Sequence, residues 1–327
     1  MTPLDCCLEV LVLKTSLSLT TDVLKGLERI LPSLQELHLS GCRSIWQLFV
    51  LLEEIGQKSL TSSSGQVCVD LPLQCLDLAC CDIGDNVRIL NRSSQHLPSL
   101  KCLLVPNCKL EEKHFQKMSE SFSAHPFEML DLSGNTKVMS MLDETCQYLN
   151  ILMVLKLVNT GLTDESVAQL PLLKLINLRE LDLSNNKLSS EAAVDIANLL
   201  RRNCCPLLEH LSLQQNEIES YGACALAQGF KYVPLLKKFF LDKNCRIGAC
   251  GILEIFQNLK HVSHLEELGL AGIALSVHDC YHIIPLSYGL HYAGVWDDRT
   301  CKYILQVVKD GNIQRISQVV ADNTGND

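Results

Sequence analysis

The segment LRELDLSNNKL, residues 178–188, places leucines at a fixed spacing and an asparagine where that spacing ends. Leu181 and Leu183 alternate with other residues, a period of two that is typical of a short strand with one buried face. Asn186 follows three positions later, and its amide can hydrogen-bond backbone groups of neighbouring turns that would otherwise be buried without partners. The segment therefore predicts a strand followed by a turn.

The same pattern, L-x-x-L-x-L-x-x-N/C, recurs along most of the chain. Eight of the nine start-to-start intervals are 25–30 residues long, and the exception is 39. A fixed period in this range indicates a repeat array. We call the last position of the motif the slot; cysteine occupies it in three units, where a weak S–H donor can replace the amide. The units begin at Leu8, Leu34, Leu73, Leu100, Phe127, Leu152, Leu178, Leu208, Leu236 and Leu265, and the three cysteines are Cys42, Cys81 and Cys108.

Between the strands the apolar spacing changes to i, i+3, i+4, i+7, which predicts amphipathic helices. The clearest covers residues 189–203, with Ser190 as the expected N-cap and Ala193, Ile196, Ala197 and Leu200 on its apolar face. Two more are predicted over residues 20–31, capped by Thr21 or Asp22, and over residues 162–173, capped by Thr163 or Asp164. One strand and one helix cannot bury their own apolar faces, so the units are expected to stack.

The repeated motif resembles that of the leucine-rich repeat proteins, specifically the ribonuclease-inhibitor-like subclass, whose units are about 28 residues long and contain a full helix. The resemblance covers residues 8–275. It implies an α/β leucine-rich repeat solenoid of about ten repeats. Such a solenoid is a curved horseshoe with a parallel sheet on its concave face and helices on its convex face. The repeat array is assigned to residues 1–275.

Three regions depart from the pattern. The long interval contains the polar residues 56–70, predicted to form a surface loop that is either a tolerated insertion or a regulatory segment with Ser62, Ser63 and Ser64 as phosphorylation candidates. The first unit starts at Leu8 without a preceding polar cap, which leaves open a truncated isoform or a fragment of a longer protein. Residues 276–320 are predicted to cap the array, with one helix over 300–320 or two separated at Gly311, and residues 321–327 to form a disordered tail.

Composition excludes several classes of function. The 327 residues carry a formal net charge of −9, which argues against nucleic acid as a partner because binding phosphates requires clustered lysine and arginine. The N-terminus lacks the basic start of a signal peptide, and no apolar run is long enough to span a membrane. The 17 cysteines are then expected to be free thiols in a reducing compartment. These features predict a cytoplasmic location, with no membrane as partner.

No motif in the sequence points to catalysis or to a cofactor. His278 and His282 share one helical spacing with Cys280 between them, but no second pair of ligands accompanies them, and packing within the cap is the simpler interpretation. There is no nucleophile elbow and no phosphate-binding glycine loop. The sequon at Asn91 matters only in a secreted protein. We therefore expect a non-enzymatic protein without metal or cofactor.

The residues that alternate with the strand leucines form the predicted concave face. Seven acidic residues stand there against three lysines, with scattered apolar side chains between them. A broad, mildly acidic surface of this kind favours protein binding, although each residue also has the simpler role of keeping the sheet soluble. The candidate binding residues are Glu36, His38, Asp77, Leu104, Asp131, Lys156, Glu180, Asp182, His210, Phe240 and Asp242.

These observations predict a scaffold that binds another protein on its concave face. Two alternatives remain open: the sensing or regulatory part of a larger NOD-like receptor, and a ribonuclease inhibitor. The ribonuclease inhibitors share the acidic charge, the reduced cysteines and the repeat. However, the chain has neither the concave tryptophans and tyrosines nor the fifteen or so repeats expected of them.

Overall fold

The computed structural model describes residues 8–13, 18–61, 71–122, 125–136, 138, 150–170 and 175–273, together with four short strands between residues 290 and 321. The chain divides into two units, Met1–Val154 and Leu155–Asp327. Both have the α/β architecture of a leucine-rich repeat solenoid, in which short parallel strands alternate with helices. The prediction of about ten such repeats is confirmed by ten strands that carry the motif.

The first unit contains strands that pair in parallel with their immediate neighbours in the chain. Register partners occupy equivalent positions of successive motifs, so that Leu37, Leu76, Leu103 and Leu130 lie side by side. These leucines are at most 4% exposed, as the period of two predicts. The strands are β1 Val10–Leu13, β2 Glu36–Leu39, β3 Cys75–Asp77, β4 Cys102–Leu104 and β5 Met129–Asp131.

Four helices connect these strands, and one of them corrects a sequence prediction. Helix α2 continues to Thr61, so the first six residues of the predicted 56–70 loop are helical. Glycine is weakly helix-forming, but it fits at position 56 because the ring of His96 packs against it and would collide with a larger side chain. Residues 62–70, including the three candidate serines, lie outside the described residues. The helices are α1 Thr21–Ile30, α2 Trp46–Thr61, α3 Val87–Ser94 and α4 Glu112–Phe122.

The second unit repeats the same arrangement. Leu181, Leu211, Phe239 and Leu268 are register partners on four adjacent parallel strands, and each is at most 2% exposed. Strand β6 begins at the last residue of the first unit. The strands are β6 Val154–Lys156, β7 Glu180–Asp182, β8 His210–Ser212, β9 Lys238–Phe240 and β10 Glu267–Gly269, and the helices are α5 Asp164–Gln169, α6 Ser190–Arg201, α7 Ser220–Gly229 and α8 Ala249–Asn258.

The helix N-caps agree with the sequence predictions at one helix and differ at two. Thr163 caps α5 through a capping box, as predicted. Helix α6 is capped by Ser189 rather than Ser190: Ser189 has extended backbone angles, and its hydroxyl accepts a hydrogen bond from the N–H of Glu191. For α1 the N-cap is Thr20, which precedes both predicted candidates, Thr21 and Asp22. The side chain of Thr20 makes no capping hydrogen bond.

The displaced serine has a different role. The hydroxyl of Ser190 accepts hydrogen bonds from the backbone N–H groups of Glu219 and Gly222 at 3.0 and 3.2 Å. Both belong to the next repeat and lie at the start of α7, where backbone N–H groups have no partner within the helix. Ser190 therefore accepts hydrogen bonds from free N–H groups at the N-terminus of the following helix rather than capping its own helix.

Asparagine in the slot joins each repeat to the one before it. The Asn186 amide donates to the carbonyls of Leu157 and Leu183, both at 2.9 Å. Its oxygen accepts from the N–H groups of Thr160 and Leu162 at 3.0 and 3.1 Å. Because these groups are buried, the amide supplies partners that water cannot. Asn135, Asn216 and Asn244 bond in the same way.

Cysteine performs part of this task in the first unit, as predicted. The Cys81 thiol donates to the carbonyl of Leu39 at 2.8 Å, and the Cys108 thiol donates to that of Leu78 at 3.0 Å. Cys42 is buried in the equivalent position. Burial raises the pKa of Cys81 to about 12, so its thiol stays protonated and keeps its donor at neutral pH.

The C-terminal region contains strands where helices are predicted. Leu290–His291 pairs with Val308–Lys309, and Tyr303–Leu305 pairs with Val319–Ala321, both antiparallel. The helix predicted over residues 300–320 is therefore wrong at these positions, which are rich in the β-branched and aromatic residues that favour strands. The cap assigned to residues 276–320 stays a prediction. His278, Cys280, His282 and the predicted tail beyond residue 321 lie outside the described residues.

Candidate functional site

The side of each strand opposite the buried leucines forms the open face of its unit. All eleven candidate residues lie there and are half-buried. Five belong to the first unit and six to the second. The alternation of half-buried and buried residues along β2 to β9 is the one that the period of two predicts.

In the first unit, the parallel register brings four candidates into one row. His38, Asp77, Leu104 and Asp131 are register partners on β2, β3, β4 and β5. Glu36 lies in the adjacent row, two residues before His38 on the same strand. The predicted residues of this unit are therefore neighbours across the sheet, although they are far apart in sequence.

His38 is the centre of a charged cluster. Its Nδ1 lies 3.1 Å from Asp77 Oδ2 and its Nε2 lies 3.3 Å from Glu36 Oε2. Donation to both carboxylates requires the protonated ring. Burial lowers the pKa of His38, but the hydrogen bonds to Asp77 and Glu36 outweigh it and hold the pKa above its ordinary value of 6.5. The cluster therefore favours a cation between two anions.

The aspartates of the L-D-L-S segments also support the turn that follows each strand. One carboxylate oxygen of Asp77 accepts a hydrogen bond from the N–H of Ala79 at 2.9 Å. Asp131 and Asp182 bond in the same way to Ser133 and Ser184, at 2.9 and 3.0 Å. This contact two residues ahead is typical of aspartate in turns. Each of these aspartates thus supports its turn with one oxygen, while the other oxygen of Asp77 bonds to His38.

In the second unit, ion pairs cross from strand to strand on the open face. Lys156 Nζ lies 2.9 Å from Glu180 Oε1, and His210 Nδ1 lies 3.6 Å from the other Glu180 oxygen. Lys238 Nζ lies 2.8 Å from Glu267 Oε1, and this hydrogen bond raises the pKa of Lys238. Each lysine is therefore matched to a glutamate, which leaves the aspartates of this face as its excess negative charge.

Phe240 and Asp242 occupy space that a glycine provides. A Cβ atom at Gly269, on the neighbouring strand, would lie 2.6 Å from Phe240 Cδ1 and 2.0 Å from Asp242 Oδ2. Asp242 also accepts hydrogen bonds from the Gln214 side chain and from the N–H of Ala271, both at 2.8 Å. The aromatic ring and the carboxylate are thus held in place by three repeats.

A depression of about 380 Å³ opens between these side chains. Its walls are carboxylates, one lysine, one imidazole and the ring of Phe240. Asp182 lies in this wall, and within the described residues its Oδ1 bonds only to Ser184 while its Oδ2 has no partner. The lining residues are Glu180, Leu181, Asp182, His210, Leu211, Ser212, Gln214, Lys238 and Phe240.

Several residues of the open face were not among the candidate binding residues chosen from the sequence. Gly269 carries no side chain, so no pattern of residue types marks it. Gln214 contributes to the open face through the hydrogen bond that its side chain donates to Asp242. Cys75 and Cys102, whose sulfur atoms are 3.1 Å apart, could have been found, because they hold the same motif position in consecutive units.

The described residues show neither a metal-binding cluster nor a membrane-spanning helix. They contain no group of three histidine, cysteine, aspartate or glutamate side chains arranged to hold a metal ion. None of the helices in this part of the chain combines the length and apolar character needed to cross a bilayer.

Comparison with known proteins agrees with this architecture. A family model described as Leucine Rich repeat matches residues 71–86 and 174–197. A solved structure of the Rad7 and Elc1 complex in yeast has 18% sequence identity and a TM-score of 0.58, covering 85% of this chain and 67% of the other. An internalin from Listeria monocytogenes has 15% identity and a TM-score of 0.46, covering 79% of this chain and 67% of the other. The repeat motif and the fold together are those of a leucine-rich repeat solenoid.

Proposed function

We propose that this chain is a non-enzymatic scaffold that binds a partner protein through its open face. In the second unit, the depression beside Phe240 would receive a positively charged side chain of the partner. The observation that carries this proposal is Asp182 in the wall of the depression, with one carboxylate oxygen that has no partner among the described residues. We also propose that the protein acts in the cytoplasm and binds no nucleic acid.

The charge of the face supports a basic partner. The open face of the second unit has four carboxylates and two lysines, and each lysine already pairs with a glutamate. An arginine or lysine entering the depression could pair with Asp182 and lie against the ring of Phe240. Such charge complementarity mainly increases specificity and the rate of association. The four carboxylates belong to Glu180, Asp182, Asp242 and Glu267.

The repeat and its relatives also support a binding role. One structure with this fold is that of a complex between two proteins, Rad7 and Elc1. The length of the units favours the ribonuclease-inhibitor-like subclass. The units LDLSGNTKV and LVNTGLTDESV, starting at residues 130 and 157, also resemble those of vertebrate leucine-rich repeat-containing protein 31.

Site-directed photo-crosslinking tests this proposal. A photoreactive amino acid replaces Ser212, which lies in the depression, or Tyr221, which is 71% exposed on helix α7. We expect the probe at position 212 to become crosslinked to a partner in cell lysate and the probe at position 221 not to. The partner's crosslinked peptide is expected to contain arginine or lysine.

Charge reversal then separates a specific site from general acidity. Glu180→Lys with Asp182→Lys should abolish the crosslink from position 212. The control, Glu191→Lys with Glu217→Lys, makes the same change in net charge at exposed residues outside the strands and should leave it intact. A crosslink that survives the first pair of substitutions would show that this acidic depression is not the binding site.

A further inference from the structure

Two thiols face each other on neighbouring strands of the first unit. Cys75 on β3 and Cys102 on β4 are register partners in a parallel pair. Both are half-buried on the open face, and their sulfur atoms lie 3.1 Å apart, within hydrogen-bonding distance for thiols. Neither sulfur takes part in the slot hydrogen bonds that hold the repeats together. The pair therefore has no structural role in the turns.

The backbone positions of the two residues suit a disulfide. Neighbouring strands lie about 4.8 Å apart, and disulfides join Cα atoms separated by about 4.4–6.8 Å. The S–S bond is about 2.0 Å long, so side-chain rotation has to bring the sulfurs only about 1 Å closer.

The environment gives the two thiols different reactivities. The hydrogen bond with Cys102 lowers the pKa of Cys75, outweighing burial, and the nearby His38 ring lowers it further. The same hydrogen bond is the main cause that raises the pKa of Cys102, and burial adds to this increase. Cys75 is assigned as the nucleophile because it is the thiol next to the His38 ring, whose positive charge favours the attacking thiolate. Slot thiols such as Cys81 differ, because burial keeps them protonated.

From this geometry we propose that Cys75 and Cys102 form a modification site for low-molecular-weight disulfides of the glutathione class, with a reversible cross-strand disulfide as the product. The site lies on the open face of the first unit, in the row that also contains Glu36 and Met129. It is independent of the binding function proposed for the depression in the second unit.

The reaction proceeds by two exchanges. The Cys75 thiolate attacks one sulfur of the small disulfide, forming a mixed disulfide and releasing one small thiolate. The Cys102 thiol then loses its proton to solvent and attacks the Cys75 sulfur, which releases the second small thiolate and forms the Cys75–Cys102 bond. The two protein thiols are oxidised and the small disulfide is reduced to two thiols, so no other oxidant is needed.

Peptide mapping of the full chain tests the proposal directly. The protein is incubated with mixtures of reduced and oxidised glutathione, quenched by acid and alkylation, digested and analysed by mass spectrometry. We expect a crosslinked peptide pair joining Cys75 to Cys102 that disappears when reduced glutathione is added. The exposed residues Cys80 and Cys245 are internal controls and should carry at most single glutathione adducts.

Two variants assign the roles. Cys102→Ser should trap a glutathione adduct on Cys75, whereas Cys75→Ser should slow modification of Cys102 by about tenfold or more. An unmodified Cys75 in wild-type protein whose Cys80 is already glutathionylated would overturn the proposal. A crosslink joining Cys75 to a different cysteine would also overturn it. Because both readouts use the wild-type chain, they hold even if a variant fails to fold.

Discussion

Asn186 shows what the slot requires of a side chain. Its amide uses two donors and one acceptor on groups of its own turn and of the preceding repeat. At the equivalent position, the Thr160 hydroxyl donates to Leu157 O and, at the longer distance of 3.4 Å, to Asn186 Oδ1, and the N–H of Thr160 donates to the same oxygen. A thiol offers one weak donor. The slot residues therefore differ in how many buried backbone groups they satisfy.

Replacing this amide should be costly. Asn186→Ala leaves the N–H groups of Thr160 and Leu162 without an acceptor and removes one of the two side-chain donors to the carbonyl of Leu157. A buried polar group without a partner costs about 1–3 kcal/mol. We therefore expect the free energy of unfolding to fall by about 3 kcal/mol or more, as measured by urea denaturation.

The control for this substitution comes from the chain itself. Asn186→Cys introduces the residue found at three other slots and should cost less than alanine, because a donor remains. Hydrogen exchange at the amides of Thr160 and Leu162 should accelerate most in the alanine variant, since a methyl group cannot accept from them and a thiol sulfur accepts only weakly. Unchanged exchange at these two amides in the alanine variant would contradict the role assigned to the asparagine.

His38 makes stability depend on pH. Its pKa is raised in the folded state by Asp77 and Glu36, so its contribution is fully present below the unfolded value of about 6.5 and is lost as pH rises through the folded pKa. We expect the stability difference between wild type and His38→Gln to shrink over that interval. Chemical denaturation at several pH values measures it.

An NMR titration gives a direct reading of the same histidine. The folded pKa of His38 should lie above 6.5, and Asp77→Asn should lower it because one of the two carboxylates is then neutral. The residues that face the ring are Asp77, Glu36 and Cys75. A folded pKa at or below the ordinary value would mean that burial, rather than the carboxylates, dominates.

The helices of the second unit pack closely because small residues lie between them. In α7, a Cβ atom at Gly222 would lie 2.9 Å from both Ala193 Cβ and Ser190 Cα of α6. In α8, one at Gly251 would lie 3.1 Å from Ala223 Cβ of α7. Backbone atoms cannot move aside as a flexible side chain can, so glycine sets the distance between neighbouring helices.

Gly222→Ala and Gly26→Ala form a matched pair of tests. Alanine at Gly222 must push α7 from α6 and should destabilise the protein by about 1–3 kcal/mol. Helix α1 has open space around Gly26, with no atom within 4 Å of an added Cβ, so alanine there should stabilise by about 0.5–1 kcal/mol. Thermal or urea unfolding of both variants measures whether each substitution raises or lowers the free energy of unfolding. Equal effects would show that packing at Gly222 is not limiting.

Among the secondary-structure elements, the sequence predicted the strands of the repeats well and the ends of the helices less well. The leucine spacing marks β7 because its period is local, and Thr163 was identified as a cap because its partner Ser166 is three residues away. The start of the predicted 56–70 loop was wrong because helix α2 continues to Thr61, where Gly56 packs against His96, a residue 40 positions away that no local pattern connects to it. The C-terminal strands were missed because antiparallel partners such as Ile304 and Val320 are visible only once they pair.

Across the whole molecule, the slots differ between the two units. The first unit has Cys42, Cys81, Cys108 and Asn135, whereas the second has Thr160, three asparagines and, in its last motif, Ile273. Since each asparagine bonds several backbone groups and each cysteine one, we expect the second unit to open at a higher free energy. Native-state hydrogen exchange read by mass spectrometry should show slower exchange in the second unit's turns. Equal protection in both units would contradict this ranking.

The candidate site was predictable in position but not in its contacts. The period of two placed all eleven residues on the open face, and a one-repeat offset identifies neighbours such as His38 and Asp77. Which neighbours pair depends on side-chain conformations, so the depression beside Phe240 could not be derived. It also depends on Gly269, whose contribution is the absence of a side chain.

The slot hydrogen bonds have a direction along the chain. Asn186 Oδ1 accepts from N–H groups of the preceding repeat, Asn216 Oδ1 accepts from the N–H of Asn186, and Asn244 Oδ1 accepts from that of Ile218. Each turn is therefore completed by the repeat that follows it. Excising one repeat would damage mainly its predecessor, so a transplanted repeat must be chosen to suit the neighbour on its N-terminal side.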